Sequence, residues 1–401
     1  MTRIGPVPAD RMEDFLRSMG VPFSFSPSDE DVKSFIDEWD HAWLTAAFDD
    51  EDRIVATFGS FPFEMQVPGG SLPTGGTTVV TVMPTHRRQG LLTKLMRDHL
   101  DTARERGQAM TALWASETVI YGRFGYGIAS EDRKLELPAQ HAKLLDEPAI
   151  TGTMRFVDPV EALGILPSIF ERAHADRPGV FARNAKWWEK RTLSDHERHR
   201  GGFTSMRITV HTRSGEDVGY ALWRTKEDKD GLVLQTREVV GVDAEAERAV
   251  WQFLFGVDLV GKIEARHRPL DDPLHWWLEN PRALEQTISD ALWVRPLDVK
   301  ACLEGRRYRT DGTLVLEVSD PIYEDVAGTY RLTVVDGVGT VERTSEPADL
   351  ELSVGVLGSL LMGGHGADLG RAGRLRGPVE AIDQADLLFG WPVAPFVPEV
   401  F

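Results

Sequence analysis

The run Val79-Val80-Thr81-Val82-Met83-Pro84-Thr85-His86-Arg87-Arg88-Gln89-Gly90-Leu91-Leu92 constrains the fold of this chain more than any other stretch. A β-branched strand ends at a proline. A short basic turn with one glycine follows, and an amphipathic helix opens at Leu91-Leu92-Thr93-Lys94-Leu95-Met96. Helix N-termini carry N–H donors without intrahelical partners and a partial positive charge, so they bind phosphates. Gly90 lets a ligand approach the backbone closely, and Arg87 and Arg88 can add charge-assisted bonds. Pro84 has no N–H, so strand pairing stops there, and a strand released from pairing can splay and offer its groups to a ligand. That is the chemistry needed to hold a pyrophosphate. A strand-glycine-helix joint also serves as plain α/β punctuation, so the joint needs support from the rest of the chain.

At 401 residues, two or three domains are expected rather than one core, and a hydrophobic content of 42% suits buried globular domains. The start, Met1-Thr2-Arg3-Ile4-Gly5-Pro6, lacks the apolar core of a signal peptide, and no stretch approaches the ~20 apolar residues of a membrane span. Cys302 is alone, which excludes a disulfide framework or a cysteine metal cluster, and no metal-ligand spacing occurs. A cytoplasmic protein without a metal is expected. The net charge of −18 disfavours nucleic acid as a partner, because binding its backbone takes clustered Lys and Arg. Half of that excess falls in residues 29–52, where ten acids face Lys33 alone. The stretch reads either as a solvated helix face with an acidic turn or as a field that gathers a cationic substrate.

Helices are expected at 8–19 and 28–42, then strands at 43–48, 53–60 and 61–67. A strand at 77–83, a helix from about 89 to 106 and a strand at 109–114 form a βαβ unit. A short helix near 117–123 leads through a glycine-rich turn to a strand near 129–136. Pro138 and the segment to Pro148 mark a boundary. Residues 150–290 repeat the grammar, with helices at 158–173 and 182–193, strands near 203–211, 217–225 and 231–241, and a helix near 244–256. That helix opens on Val242-Asp243-Ala244-Glu245, whose acids would repel a phosphate. Beyond residue 297, strands at 314–318 and 330–335, turns at Asp311-Gly312 and Asp336-Gly337, and a strand entering a helix over 350–362 make a small αβ layer.

The basic turn resembles the coenzyme A motif of GNAT acetyltransferases, Arg/Gln-x-x-Gly-x-Gly/Ala. Arg87 begins the motif and Gly90 supplies its glycine, while Leu92 stands where Gly or Ala is usual. Further matches are Ser116-Glu117, Ile120-Tyr121-Gly122-Arg123-Phe124-Gly125-Tyr126-Gly127, Arg177-Pro178-Gly179 with Trp187-Trp188, Leu292-Trp293-Val294-Arg295-Pro296-Leu297-Asp298, and the end Trp391-Pro392-Val393-Ala394-Pro395-Phe396-Val397-Pro398-Glu399-Val400-Phe401. In this order and spacing the chain resembles the Eis (enhanced intracellular survival) family of actinobacterial GNAT N-acetyltransferases along nearly its whole length. The resemblance implies an α/β (α+β) protein: a GNAT domain at 1–145, a second GNAT-like domain without a cofactor site at 146–292, and a sterol-carrier-protein-like domain at 293–401. It also implies acetyl-CoA as cosubstrate, aminoglycoside acetylation at more than one amine, and a hexamer.

Acetyl transfer needs a neutral amine, donors for the thioester oxygen, and a proton for the leaving thiolate. Direct transfer in a ternary complex is expected, since Cys302 lies far from the motif. Backbone groups of Val80, Thr81 and Val82 are expected to meet the pantetheine, Arg88, Gln89, Gly90, Leu91, Leu92 and Thr93 to cradle the pyrophosphate, and Ser116 and Glu117 to close the site. Tyr121 and Tyr126 are equal candidates for the acid by spacing, and the resemblance selects Tyr121. The end of the chain is apolar and stiffened by three prolines, so it is expected to pack inside and carry its α-carboxylate with it. Burial raises a carboxylate pKa from its free value of ~3.5. In Eis-like enzymes the terminal Phe carboxylate is the base, and here that residue is Phe401. His86 is expected to be a turn residue near phosphate. Trp187-Trp188 and His275 beside Trp276-Trp277 read as core or subunit contacts, and Trp39 and Trp43 as a sugar-binding wall or core. The rivals are a lysine acetyltransferase acting on proteins and, outside enzymes, a lipid or small-molecule carrier.

Overall fold

The computed structural model describes residues 2–146 and 151–401; Pro148 lies outside them. Its strands are β1 (Arg3–Pro6), β2 (Leu44–Phe48), β3 (Ile54–Val67), β4 (Gly70–Val82), β5 (Met110–Trp114), β6 (Gly127–Ile128), β7 (Glu131–Pro138), β8 (Thr153–Val157), β9 (Arg207–Arg213), β10 (Glu216–Asp228), β11 (Gly231–Gly241), β12 (Val260–Arg268), β13 (Glu285–Asp290), β14 (Leu292–Pro296), β15 (Gly312–Ser319), β16 (Gly328–Val335), β17 (Val338–Arg343) and β18 (Leu350–Ser353). They form sheets of order β1-β2-β3-β4-β5-β14-β6, β13-β7-β12-β11-β10-β9-β8 and β17-β16-β15-β18. Two compact units result. One holds residues 1–130, 291–392 and 400–401, and the other 131–290 and 393–399.

In the first unit the strands expected at 53–60 and 61–67 are one strand, β3, hairpinned to β4. Gly75-Gly76 lies inside β4 and is no turn. Phe61 pairs with Gly76, and the Phe63 ring lies 2.2 Å from where a Cβ on Gly76 would stand, so a glycine is needed for the ring to cover the strand. β4 therefore starts at Gly70, well before the expected 77. The helix Leu91–Glu105 buries Leu91, Leu95, Met96 and Leu100 on one face, and three of these join Phe58, Leu113, Tyr121 and Tyr126 in one cluster. On the other side of the sheet a row of aromatics runs Phe15, Phe35, Trp39, Phe61, Phe63, with ring centroids 4.3–6.0 Å apart. Trp39 is thus core, while Trp43 lies under the Arg106 guanidinium at 3.9 Å. The small sheet β17-β16-β15-β18 belongs to the same unit. Its helix Val354–Leu361 packs on β14 and β6, so closely that a Cβ on Gly127 would stand 1.9 Å from the Gly355 carbonyl.

The second unit repeats the pattern: helix Pro159–Ala173, the meander β9-β10-β11, helix Ala244–Phe255, and β12 parallel to β11. The strand expected near 129–136 runs Glu131–Pro138 and pairs with β12 and β13 in this second sheet. In the first sheet the place beside β5 is taken by β14. Within the expected helix at 182–193, the structure has a short turn at Ala185–Trp187 that widens to a π-helix over Trp188–Thr192. Both Trp187 and Trp188 are buried, and Trp276 is exposed. Among the described residues no helix is long and apolar enough to cross a membrane.

Candidate active site

The strand-turn-helix joint forms as the sequence implies, but the splay has a different cause. β4 and β5 pair in parallel only from Thr74/Met110 to Thr77/Leu113. The divergence begins before Pro84, at a bulge where Val79 takes φ +45° against Thr57–Gly59 of β3. The Thr57 hydroxyl secures it by donating to the Val79 carbonyl at 2.8 Å, and it also meets the Thr81 hydroxyl at 2.6 Å. Val80 and Val82 are half-buried, and Thr81 is buried. β4 stays paired to β3 through Val82/Ala56, so the edge facing β5 is the one left open beyond Thr77.

The turn itself is built for anions. Arg88 and Gly90 both have left-handed backbones, at φ +62° and +77°. Such turns gather backbone N–H groups into a concave surface. Gly90 is the N-cap of the helix Leu91–Glu105, and no side chain caps that end. No atom lies within 4 Å of where a Gly90 Cβ would stand. Arg87, Arg88 and Gln89 are exposed, and so are Ser116 and Glu117 beyond β5. The His86 ring bonds the neighbouring Thr85 hydroxyl at 2.9 Å.

The two tyrosines separate by environment. Tyr126 is buried and committed: its hydroxyl accepts from Thr111 at 2.8 Å and lies 3.3 Å from Thr77 Oγ1. Thr77 in turn meets His99 Nε2 at 2.8 Å. Burial pulls the His99 pKa down to about 3, so this imidazole is neutral. Tyr121 ends the helix Thr118–Tyr121, 6% exposed, its ring edge-on to Tyr126 at 6.0 Å. Burial first, then Tyr126 and Glu117, push its pKa up to about 12, so it holds its proton at neutral pH. The buried Thr77–His99–Thr111–Tyr126 cluster was not legible in the sequence, because its members are scattered over three elements and a turn.

Phe401 is 7% exposed, its ring T-shaped on Phe63 at 4.9 Å, so the aromatic row ends at the last residue of the chain. Phe63 covers Gly76, the neighbour of Thr77 on β4. Tyr121, the Arg88–Thr93 turn and Phe401 are therefore parts of one unit. Cys302 is buried, with its thiol on the Ala109 carbonyl at 3.3 Å and its pKa raised by burial. The acidic stretch is less bare than its composition suggests. Asp52 meets Arg11 and Arg3, Asp49 and Glu51 meet Arg53, and Arg17 reaches Asp29. Hydrogen bonds from Arg11 and Arg3 hold the Asp52 carboxyl below the usual range, and Arg53 does the same for Asp49.

Residues 3–129 and 179–296 each match the acetyltransferase (GNAT) domain, and 299–398 match the sterol carrier protein domain. An uncharacterized N-acetyltransferase of Streptomyces coelicolor is 38% identical over 360 residues, 87% of this chain and 86% of that one. The N-acetyltransferase Eis of Mycobacterium tuberculosis is 35% identical over 323 residues, 78% and 77% of the two chains. The chain belongs to the Eis-like family of GNAT N-acetyltransferases. The crystal structure of Eis1 from Mycobacterium abscessus superposes with a TM-score of 0.87 at 29% identity over the full length of both chains. This Eis-like protein is an acetyltransferase, with two GNAT domains followed by a sterol-carrier-like domain, and GNAT acetyltransferases draw their acetyl group from acetyl-CoA. The second GNAT fold departs from the first where a phosphate would sit. Its helix Ala244–Phe255 is capped by Asp243, which accepts from the Ala246 N–H at 2.8 Å.

Proposed function

We propose that this enzyme acetylates primary amines of polycationic small molecules, aminoglycosides and polyamines among them, by direct transfer in a ternary complex, with Tyr121 as acid and the Phe401 α-carboxylate as base. One observation carries the reading: the last residue of the chain is buried in the same unit as the uncapped left-handed turn and Tyr121. Acetyl-CoA would supply the acetyl thioester. Backbone groups of Arg88 through Thr93 would hold its pyrophosphate, supported by the open space beyond Gly90. The edge Val80–Val82 would bond its pantetheine arm, with Ser116 and Glu117 at the mouth.

The roles divide by proton affinity. The Phe401 carboxylate takes the proton from the ammonium of the acceptor, which makes that amine a nucleophile. Tyr121, with its pKa at about 12, gives its proton to the departing thiolate. Tyr126 is the less favourable donor, since it is buried with its hydroxyl held between Thr111 and Thr77. The location is taken to be cytoplasmic and the assembly a homo-hexamer, as the family likeness implies. Thiol release from acetyl-CoA, measured against aminoglycosides, polyamines and lysine peptides, tests the substrate class. Turnover confined to lysine peptides transfers the reading to protein acetylation, and no turnover with any amine refutes it.

A further inference from the structure

Three stretches matched to the family have no part in the reaction: Arg177-Pro178-Gly179, Trp187-Trp188, and the tail before Phe401. In the second unit they meet. We propose that the cleft of the second GNAT-like fold is a receptor for the chain's own C-terminal segment, and that residues 393–399 are its ligand. The link from this receptor to turnover rests on the terminal-base reading above; the receptor itself does not.

β11 and β12 pair in parallel as far as Thr236/Ala265 and then part. β11 stays with β10 to Gly241, and β12 rejoins β7 at Arg268/Arg133 after His267 takes φ +50°. The fork leaves a cavity of about 80 Å³, lined among others by Glu238, Val240, His267, Arg268, Phe396 and Pro398. In the first fold the equivalent fork is the open edge beside β5. Here it is barred. The Arg268 guanidinium spans the gap, donating Nη1–H to the Val239 carbonyl at 2.7 Å and pairing with Asp272 and Glu247. A cofactor arm would have to displace a buried, triply bonded cation.

The tail enters instead, held through the backbone of Ala394 and Phe396. The Ala394 N–H donates to Asp271 Oδ2 at 3.0 Å, and its carbonyl accepts from Arg177 Nη1 at 2.9 Å. Arg177 and Asp271 are themselves paired at 2.8 Å, so one ion pair clamps both sides of one peptide residue. The Phe396 N–H donates to the Pro178 carbonyl at 2.8 Å. Gly179 sits at φ +92°, where a Cβ would stand 2.7 Å from the Phe396 carbonyl, so the Arg-Pro-Gly turn leaves room only for glycine. Pro395 and Pro398 lack N–H groups, so they bury no orphan donor. Glu399 then anchors the segment. Its buried carboxylate accepts from Trp187 Nε1 and from Thr192 Oγ1 at 2.7 Å, with Arg183 Nε at 3.4 Å. Arg183 is shared with Glu238 at 2.6 Å, so this buried guanidinium faces two acids. Glu399 is therefore a positioning residue, not a base: its oxygens are taken. With Glu399 fixed, only Val400 separates the anchor from the terminal carboxylate.

Hydrogen exchange on the full-length protein tests this. In the wild type, amides of 393–399 should be protected. Asp271→Ala should raise their exchange about tenfold or more, the scale of losing charge-assisted bonds, while β11 keeps its protection. Asp271→Asn, which retains an acceptor, should restore most of it. Ala394→Pro removes the tail's own donor without touching the cleft and should act like Asp271→Ala. In both releasing variants kcat should fall at least tenfold with an unchanged Kd for coenzyme A. A wild-type tail that exchanges like a free peptide, or a variant tail that stays protected, overturns the receptor. A released tail with undiminished turnover overturns instead the positioning role and the terminal base, and leaves the receptor standing.

Discussion

Replacing Tyr121 by Phe removes one oxygen from the site and, by the packing, little else. The side chain is buried among Leu91, Phe124 and Tyr126, a cluster that accepts a phenyl ring as readily as a phenol. Loss of a general acid costs a factor of ~10²–10⁴ in kcat, or ~2.7–5.5 kcal/mol of barrier. The control is Tyr126→Phe. It strands the buried Thr111 hydroxyl, which donates to Tyr126 at 2.8 Å, and should cost ~1–3 kcal/mol of stability with far less effect on kcat. pH adds a second signature. With its pKa pushed up to about 12, Tyr121 stays protonated across the working range, so kcat should hold toward pH ~10 rather than fall. The same shift has a stability sign. A folded-state pKa raised above the unfolded ~10 favours the fold fully below pH 10 and loses that contribution as pH rises to about 12. Tyr121→Phe should therefore soften alkaline unfolding. The assay is thiol release across pH, with urea midpoints for both variants. A Tyr121→Phe enzyme within threefold of wild type, or a Tyr126→Phe enzyme that carries the kinetic loss, refutes the assignment.

Gly90→Asp places a carboxylate in the open space before an uncapped helix and forces a side chain into φ +77°; calorimetry should find coenzyme A binding severely weakened. Arg88→Ala should cost ~1–3 kcal/mol in the same titration, the scale of a charge-assisted bond. For cationic acceptors kcat/KM should fall as salt shortens the Debye length from ~10 Å at 0.1 M to ~3 Å at 1 M, and a salt-independent rate would reduce the acidic stretch to an ordinary solvated face. One glycine added after Phe401 turns its carboxylate into an amide and moves the new one ~3.5 Å along the chain, so turnover should collapse with coenzyme A binding intact, while full activity would remove the terminal base.

The parts of the fold that rest on local pattern were legible. The 3.6-residue periodicity of Leu91–Leu100, the hairpin at Asp336-Gly337 and the strand-to-helix passage at Ser353 all stand where the sequence puts them. What escaped was set by distant partners. A strand beginning at 77 is what the sequence shows, because nothing local marks Gly75-Gly76 as strand until Phe63 is known to lie on it. A strand at 131–138 reads as part of the preceding domain, because nothing local says it will pair with β12 across more than a hundred residues. The splay of β4 was credited to Pro84, the conspicuous residue, while the bulge at Val79 gives no signal in a β-branched run. In the site, the turn and both tyrosines are visible in the sequence, but the bond from Thr111 to Tyr126 and the burial of both rings are not. The acidic stretch keeps both of its readings: composition counts Asp49 and Asp52 but does not show Arg3, Arg11 and Arg53 meeting them.

Two copies of one fold in one chain isolate what a phosphate site requires. Both have parallel strands that fork and a helix that starts beside the fork. At the first helix the cap is a glycine with no side chain, and the first-turn donors are left over. At the second the cap is Asp243, whose carboxylate already takes the Ala246 N–H. The cap itself is worth ~1 kcal/mol to the helix. Two unit charges 4 Å apart at an effective dielectric of 20 repel by ~4 kcal/mol, so a phosphate brought there loses more than the cap gains. Arg213, paired with Asp243 at 2.6 Å, offsets part of that repulsion, which means charge alone does not close the second site. Space does the rest. A Cβ on Gly241 would stand 2.2 Å from the Glu247 amide, so the helix start packs hard on β11, and Arg268 bonds the Val239 carbonyl across the fork. Changing Asp243 to glycine would therefore not recreate a cofactor site, because the second fork is already committed to Arg268 and the tail.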